Sequence, residues 1–507
     1  MQTQWSLSDL PENLVPFQAR PIDTQLIWAG ATLKDEVDLS SACSYAIDST
    51  APEVESKTFF AERYGGSGIV QNGGGARCGF DGRYQVKGIG ANPLVGVGTD
   101  RHHSNGALAE DYAIYESIWG EILAVLLPYG AVHSLAVLRT DQYINIDFER
   151  NSRRVRKALL VREPVIRPAH FERAPYFKPQ PQLIDHIHHD HERVGIAIGK
   201  LPYMLPEPSE PCVGLNYHGL EKKCAEGLIE LARRQARQMA FCRTRMIMLT
   251  TSPSNVALDG RLLDFNGVFC LSPTDDPYDF EFKVKFNSLI SEPETLLQGL
   301  QDLCLYLGKH LFDRSFSEDL KRHVTQVFNQ ELNVCCAMQQ LSLAGITVTA
   351  IKNEEGFNAL YRTAMLIARL ISFYHARYGR DGGELMRQTL SALVADILCP
   401  TRSGQAHGPG LDQKLHAQIS ACIAALRTTL GSGAVSIASP LERTEHIEAY
   451  IDRKYGVRTE LQKRHMLQEI SSILSTEDRG IDIRAALHHL TTRKIASARA
   501  LFEGATI

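Results

Sequence analysis

Two oxygen-bearing side chains, Asn255 and Asp264, stand nine residues apart in SPSNVALDGRLLDFNGVF, residues 252–269. The dipeptide Asp259-Gly260 between them is a strong turn signal, because both residue types tolerate positive φ. The pattern therefore predicts a hairpin that brings Asn255 close to Asp264. Amide and carboxylate oxygens are ligands that Mg²⁺ accepts beside phosphates and water. Taken alone, the pair is better explained by a turn-forming asparagine and a hairpin-end aspartate.

The glycine-rich stretch YGGSGIVQNGGGARCGF, residues 64–80, is a candidate anion-binding loop. Glycines such as Gly73 and Gly75 let backbone amides approach an anion closely. Lys87 follows in an alternating, strand-like pattern, from which its ammonium group can reach a phosphate. A flexible turn and a solvent-exposed lysine are the alternatives, and a bare glycine run is a weak motif.

A helix predicted over residues 107–127 can orient that lysine. Its apolar residues recur every three or four positions, and Pro128 and Gly130 end it. Glu116 lies beside the apolar stripe, where it can pair with a strand lysine, as a Lys–Glu pair does in kinases. An exposed helix glutamate is the alternative.

Two arginines, Arg162 and Arg167, flank the short segment EPVI that follows a predicted strand. A guanidinium group offers forked donors that suit phosphate or carboxylate oxygens. Surface salt bridges are the alternative explanation.

A histidine tract, DHIHHDHERV at residues 185–194, suggests a metal site by composition alone. Its histidines are His186, His188, His189 and His191. Their spacing matches no zinc motif such as HExxH. The tract therefore favours a polar helix or loop, with a zinc-binding module as the other reading.

Length and composition narrow the class of protein. The 507 residues exceed one ordinary core and suggest two to four domains or lobes. A net charge of −4 argues against a dedicated nucleic-acid binder. The chain contains no apolar run of ~20 residues and no signal-peptide pattern at its start, so we expect no membrane insertion. Eleven scattered cysteines without a CxxC pair indicate reduced thiols and a cytoplasmic protein.

The order of the elements predicts an α+β fold in four parts. Residues 1–60 form an N-terminal arm, and residues 61–165 form a strand-rich lobe with the glycine-rich loop and one long helix. Residues 166–400 form a larger, mostly helical lobe that carries the hairpin. Residues 401–507 form a C-terminal helical extension.

Six segments in order resemble the SelO family, kinase-fold proteins that transfer AMP to hydroxyl side chains. They span residues 20–270 and read RPIDTQLIWAG, QNGGGAR, QVKGIG, SNGALAEDYAIYESIWGE, LLVREPVIRPAHFE and SNVALDGRLLDFNGVF. The resemblance implies a protein-kinase-like bilobal fold of the SelO type, with ATP and Mg²⁺ as cofactors.

The resemblance also implies roles for individual residues. Lys87 would bind phosphate, Glu116 would hold Lys87 in place, and Asp264 would bind the metal and act in catalysis. Asn255 would be the second metal ligand. The remaining nucleotide-binding positions would be Gly73, Gly75, Arg77, Asn105, Gly106, Arg162 and Arg167.

The chain departs from the family at several of these positions. Ser254 stands where the family has an aspartate proposed as its catalytic acid. In the glycine-rich loop, Gly74 replaces the usual aspartate and Ala76 the usual arginine, unless Arg77 takes over by a one-residue shift. Phosphate and metal binding are thus expected to persist, while activation of the acceptor is expected to differ.

The expected activity is Mg-ATP-dependent transfer of AMP to a protein or peptide acceptor. A carboxylate acceptor is ionised at neutral pH and needs no general base, so a peptide C-terminus fits the loss of the aspartate. Divergent SelO-like proteins of the MchC/MceJ type occur in siderophore-microcin maturation, beside an acyltransferase-like partner, and the chain looks similar to that branch. The alternative is a pseudokinase scaffold that binds ATP and docks a modifying enzyme.

Overall fold

The computed structural model describes residues 5–67, 69, 71–99, 104–148, 151–183, 189–212, 215–271, 280–343, 346–348, 351, 354–378, 413–430, 435–437, 458–476 and 482–502. Within these ranges no helix combines the length and the apolarity that crossing a membrane requires.

The described strands are β1 (Leu14–Pro21), β2 (Thr24–Ala29), β3 (Tyr45–Ala46), β4 (Lys57–Glu62), β5 (Cys78–Phe80), β6 (Gln85–Lys87), β7 (Ser134–Phe148), β8 (Asn151–Arg162), β9 (Ile247–Met248), β10 (Phe269–Cys270), β11 (Ile346–Val348) and β12 (Val435–Ile437). The described α-helices are α1 (Glu36–Cys43), α2 (Glu110–Leu126), α3 (Asp190–Ile198), α4 (Leu201–Met204), α5 (Gly219–Thr244), α6 (Phe280–His310), α7 (Arg314–Leu343), α8 (Glu354–Tyr378), α9 (Gln413–Leu430), α10 (Lys463–Leu474) and α11 (Ile483–Phe502).

The central sheet of the described chain has eight antiparallel strands in the order β2-β7-β8-β6-β5-β4-β1-β3. The predicted α+β class is therefore confirmed. Strands β1 to β3 come from the part of the sequence interpreted as an arm, yet all three belong to the sheet: β1 pairs with β3 and β4, and β2 pairs with β7. The division of the chain at residues 60, 165 and 400 stays a prediction.

Helix α2 lies between the sheet and the C-terminal helices. One side packs against β7 and β8, and the other side packs against α10 and α11. The periodicity predicts one buried stripe, but both sides are buried, including Glu110, Glu116 and Glu121. The second covering layer comes from α10 and α11, which a local pattern around α2 does not reveal.

The segment predicted as a hairpin is tighter and less regular than expected. The Asp259-Gly260 turn forms, with Gly260 at φ +91°. However, one antiparallel bridge, Val256 to Leu262, replaces the two predicted strands. A 3₁₀ turn at residues 253–255 and the left-handed backbone of Asp264, at φ +67°, interrupt the extended conformation on either side. Strands β9 and β10 pair outside this loop.

The two covered faces of α2 predict a large stability loss when its core is truncated. Ile122 is fully buried in α2, so we expect Ile122→Ala to lower the free energy of unfolding by about 2–5 kcal/mol. The matched change Ile196→Ala, at a side chain that is 58% exposed on α3, should cost less than about 0.5 kcal/mol. Denaturant unfolding of both variants measures this, and equal losses would contradict the placement of α2 at the centre.

Candidate active site

A buried ammonium group sits between two carboxylates at the centre of the candidate site. Lys87 is the last residue of β6, and its side chain is 1% exposed. Its Nζ donates to both carboxylate oxygens of Glu116, at 2.9 and 2.7 Å, and to Oδ1 of Asp264 at 2.9 Å. The structure thus joins three residues predicted from the sequence to act together.

Asp264 is the member of this trio that reaches the surface. Its side chain is 29% exposed, against 3% for Glu116. Burial opposes its ionisation, but the positive charges of Lys87, Arg77 and Arg162 outweigh burial and hold the pKa of Asp264 well below its ordinary value. The Asp264 carboxyl group is therefore ionised throughout the physiological pH range.

The backbone that carries Asp264 is held in uncommon conformations. Met246, Thr250 and Asp264 have φ values of 58°, 52° and 67°. Residues other than glycine seldom adopt positive φ, and such conformations concentrate at functional sites because the surrounding packing must enforce them.

Two buried arginines present donors that have no acceptor in the described residues. Arg162 Nε donates to Gln85, and its Nη1 lies 3.6 Å from Glu116 Oε1, beyond hydrogen-bond distance. Arg167 Nη1 donates to the Ser254 carbonyl at 3.0 Å, while its Nε has no acceptor among the described residues. Buried donors of this kind cost free energy unless an acceptor completes them, and phosphate oxygens match their charge and geometry.

Arg77 stands close enough to Asp264 to lower the pKa of its carboxyl group. Its side chain is half-buried, and no hydrogen bond of its guanidinium group falls within the described residues. Among the basic side chains near Asp264 it is thus a candidate to turn toward a ligand.

Two backbone amides of the glycine-rich loop already donate to backbone carbonyls of neighbouring segments. The Gly73 amide donates to the Leu94 carbonyl and the Gly75 amide to the Glu62 carbonyl, each at 2.9 Å. Contrary to expectation, neither amide is available to an anion. The Gly74 amide makes no hydrogen bond within the described residues, and Gly74 has φ +139°, a conformation that favours glycine.

Gly106 lies in close contact with the loop at Gly90, whereas the described contact of Asn105 is local. Asn105 is exposed, and its Oδ1 accepts from the Ala107 amide at 3.0 Å in a local turn. Gly106 has φ +66°, and a Cβ at this position would lie 2.0 Å from the Gly90 carbonyl carbon. Gly106 is therefore fixed by packing, and its proposed contact with a nucleotide stays a prediction.

Asn255 and Asp264 share the loop as predicted. The Leu263 amide donates to the Asn255 carbonyl at 3.1 Å, which joins the two ends of the loop. The side-chain amide of Asn255 makes no hydrogen bond within the described residues. No group of three or more His, Cys, Asp or Glu side chains in this part of the chain is arranged to hold a metal. A cation on Asn255 and Asp264 would need further oxygens, which Mg²⁺ commonly takes from phosphates and water.

Ser254 leaves the loop without an acid at the position before Asn255. It is buried, and its hydroxyl lies 2.8 Å from that of Ser252. A serine hydroxyl paired with a second serine hydroxyl has no base to remove its proton, so it offers no general base to an acceptor.

Sequence reasoning missed a buried polar chain behind the arginines. Glu62 accepts from Gln85, and Gln85 accepts from Arg162, while His170 Nε2 lies 3.5 Å from Glu62. Although burial opposes it, His170 and Arg167 hold the pKa of Glu62 below its ordinary value. Gln85 and Lys87 are two residues apart on β6 and therefore lie on the same face of the strand. This spacing is the local sequence signal that points to the buried polar network.

Asn266 is a second missed residue. Its side-chain amide donates to Glu116 Oε2 at 2.5 Å, so it fixes the carboxylate that holds Lys87. The sequence signal that could have pointed to Asn266 is its position two residues after the candidate metal ligand Asp264, in Asp264-Phe265-Asn266-Gly267.

Glu172 is a buried carboxyl group whose two oxygens have no partner in the described residues. Its carboxyl group lies against Gly66, where a Cβ would be 2.6 Å from Oε2. Burial, with a further contribution from Asp302, raises the pKa of Glu172 to about 8. Glu172 is therefore protonated at neutral pH.

The histidine tract falls partly outside the described residues, which exclude His186 and His188. His189 Nδ1 lies 3.4 Å from Glu192, and the His191 ring centre lies 5.1 Å from that of His310. The described part of the tract gathers no metal-binding group, and a zinc-binding module stays untested.

No protein-family model and no curated protein matches the chain. The functional assignment therefore depends on the side-chain geometry around Lys87 and Asp264.

Replacing Glu172 should change how stability depends on pH. Its folded pKa lies above its unfolded value, so the stability of the native chain falls as pH rises from about 4.5 to about 8, by up to about 1.4 kcal/mol per pH unit. Glu172→Gln removes this dependence and should gain stability relative to the native chain as the pH is raised across that window. Thermal unfolding at about pH 5 and about pH 8 measures it. Glu192→Gln, at a side chain 66% exposed, is the control, and parallel curves for all three proteins would contradict the burial of an ionisable Glu172.

Proposed function

We propose that the chain is a Mg-ATP-dependent nucleotidyltransferase with a SelO-like kinase fold, which transfers AMP to a protein or peptide acceptor. The observation that carries the proposal is the contact of Lys87 with both Glu116 and Asp264. One carboxylate is buried and fixes the lysine, and the other is ionised and partly exposed. This arrangement suits a phosphate-binding lysine beside a metal-binding aspartate.

The order of the elements supports a kinase-like reading. A glycine-rich loop follows β4, the lysine ends β6, and α2 supplies the glutamate from behind the sheet. The asparagine and aspartate of the metal-binding loop follow after α5. Kinases hold their nucleotide with the same sequence of parts.

The basic side chains fit the negative charge of a triphosphate. Lys87, Arg162 and Arg167 would bind phosphate oxygens, and the unpartnered donors of the two arginines would then gain acceptors. Asn255 and Asp264 would hold Mg²⁺, which supplies a positive charge that stabilises the charge developing on the phosphates. In the transfer, an acceptor oxygen forms a bond to the α-phosphorus, the bond to the bridging oxygen breaks, and pyrophosphate leaves with its electron pair.

The acceptor we favour is a carboxylate, such as a peptide C-terminus. A hydroxyl acceptor must lose a proton during attack, and loss of a general base costs ~10²–10⁴-fold in rate. Ser254 cannot take that proton, whereas a carboxylate arrives without it. The product would be an acyl-adenylate, which an acyltransferase-like partner could consume, as in siderophore-microcin maturation.

A pseudokinase scaffold is the second candidate, and the Ser254–Ser252 pair is the observation that favours it. In this case the site binds Mg-ATP to stabilise a shape that docks a partner enzyme. Bound nucleotide would raise stability by mass action, by about 2.7 kcal/mol at a hundredfold excess over the dissociation constant, without turnover.

ATP labelled separately on the α- and γ-phosphate distinguishes these functions. With Mg²⁺ and candidate peptides or cell extract, we expect α-label on the acceptor, or AMP released only when acceptor is present. Asp264→Asn, which keeps the shape of the side chain but removes the charge, should abolish both. Transfer of γ-label would indicate kinase chemistry. Thermal stabilisation by ATP without transfer of either label would support the scaffold.

Restoring an acid at position 254 should separate the two acceptor classes. Ser254→Asp supplies a base, so AMP transfer to hydroxyl side chains should rise by about tenfold or more, while activation of a carboxylate should not rise. Product stability to hydroxylamine, which cleaves acyl-adenylates, identifies the acceptor. Ser254→Asn has the shape of an aspartate side chain but supplies no base, so it is the control and should leave hydroxyl transfer at the level of the native chain.

A further inference from the structure

Lys463, the first residue of α10, places its ammonium group among three aromatic rings. Its Nζ lies 5.1 Å from the ring centre of Tyr112, 5.4 Å from that of Tyr115 and 5.6 Å from that of Phe269. These distances are within the range of cation–π attraction. Nζ also donates to the Asn266 carbonyl oxygen at 2.5 Å.

No carboxylate pairs with Lys463 within the described residues. Burial lowers the pKa of Lys463 from its ordinary value. A half-buried ammonium group without a counter-ion is costly unless it is well solvated by the protein. Here three aromatic rings and the Asn266 carbonyl oxygen stabilise the ammonium group. Because these are its described partners, we expect Lys463 to stay bound to the Asn266 carbonyl.

Asn266 connects this contact to the candidate active site. Its side chain donates to Glu116 Oε2 at 2.5 Å, and Glu116 in turn holds Lys87. Asp264 is two residues before Asn266 in the same strained loop. A displacement of the Asn266 backbone would therefore disturb both carboxylates that contact Lys87.

The C-terminal helices are anchored firmly enough to fix Lys463. Met466 and Ile470 of α10, and Leu487 of α11, are fully buried in the same core as α2. Trp28 Nε1 of β2 donates to Thr491 Oγ1 of α11 at 3.0 Å. Helices α10 and α11 thus belong to the packing around α2.

We propose that Lys463 is a positioning residue of the nucleotide site, acting through Asn266 on Glu116 and Asp264. In this view α10 and the helix α11 packed beside it are part of the functional unit, because α10 supplies the cation that holds the loop carrying the proposed metal-binding aspartate. The proposal rests on the proposed function for its effect on nucleotide binding, whereas its effect on the loop does not depend on that function.

Three variants of the full chain test the proposal. Lys463→Met keeps the apolar stem and removes the charge and the donor. Lys463→Arg keeps a cation and a donor in the same place. Arg464→Met removes a charge from the next residue of α10, whose side chain is exposed, and is the matched control.

The first measurement is hydrogen–deuterium exchange of residues 264–268 without nucleotide. We expect Lys463→Met to speed exchange there by about tenfold, the effect of losing one hydrogen bond to a charged group. Lys463→Arg should restore most of the protection, and Arg464→Met should leave it unchanged. Equal exchange in all variants would overturn the proposal, as would a loss of protection spread evenly over α10 and α11, which indicates general unfolding.

The second measurement is the Mg-ATP concentration that half-saturates thermal stabilisation. We expect it to rise about tenfold in Lys463→Met and to stay near the native value in Arg464→Met. If Mg-ATP fails to stabilise even the native chain, the proposed function fails, while the exchange result still decides the role of Lys463. An unchanged half-saturation in Lys463→Met, with the native chain responding, would refute its positioning role alone.

Discussion

The site depends on keeping one buried ammonium group charged and in place. Lys87 is 1% exposed, and a buried charge is tolerated only when it is paired and hydrogen-bonded. Two carboxylates meet this requirement, Glu116 from a helix and Asp264 from a distant loop. Lys87 lies on the sheet, Glu116 on α2 and Asp264 at the end of the 253–264 loop. Pairing this one buried cation therefore brings together three elements that are far apart in sequence.

Helix α2 transmits that constraint to the rest of the chain. The sheet covers one side of α2, and α10 with α11 covers the other. The Glu116 side chain is therefore buried and restricted in its conformation. Asn266 and Lys463 then hold the carboxylate and the loop from the second side. Stability of the core and geometry of the site are thus consequences of the same packing.

Within the part of the chain that the structure describes, two kinds of buried group lack hydrogen-bond partners near the candidate site: donors of positively charged arginines and the oxygens of a carboxyl group. Arg162, whose charge acts on the ionised Asp264, and Arg167, which contacts the Ser254 carbonyl, carry donors without acceptors in the described residues, and the phosphates of the proposed Mg-ATP would supply these acceptors. Glu172 carries acceptors without donors in the described residues, and its burial favours the neutral carboxyl group by raising its pKa to about 8. Unpartnered polar groups cost free energy in a low-dielectric interior. An anionic ligand can lower this cost for the two arginines, whereas Glu172 lowers it by remaining protonated.

The sequence by itself determined the features that a few neighbouring residues encode. Periodicity specifies α2, the Asp259-Gly260 pair specifies its turn, and the residue types at Lys87, Glu116 and Asp264 suggest partners for a phosphate and a metal. Only the tertiary structure decided that Lys87 meets Asp264, 177 residues away, that Glu116 is buried, and that Asn266 contacts Glu116 while Lys463 contacts the Asn266 backbone. It also committed the Gly73 and Gly75 amides to backbone carbonyls. The physical reason is that these contacts depend on which faces of distant elements pack together, and no local pattern in the chain records that choice.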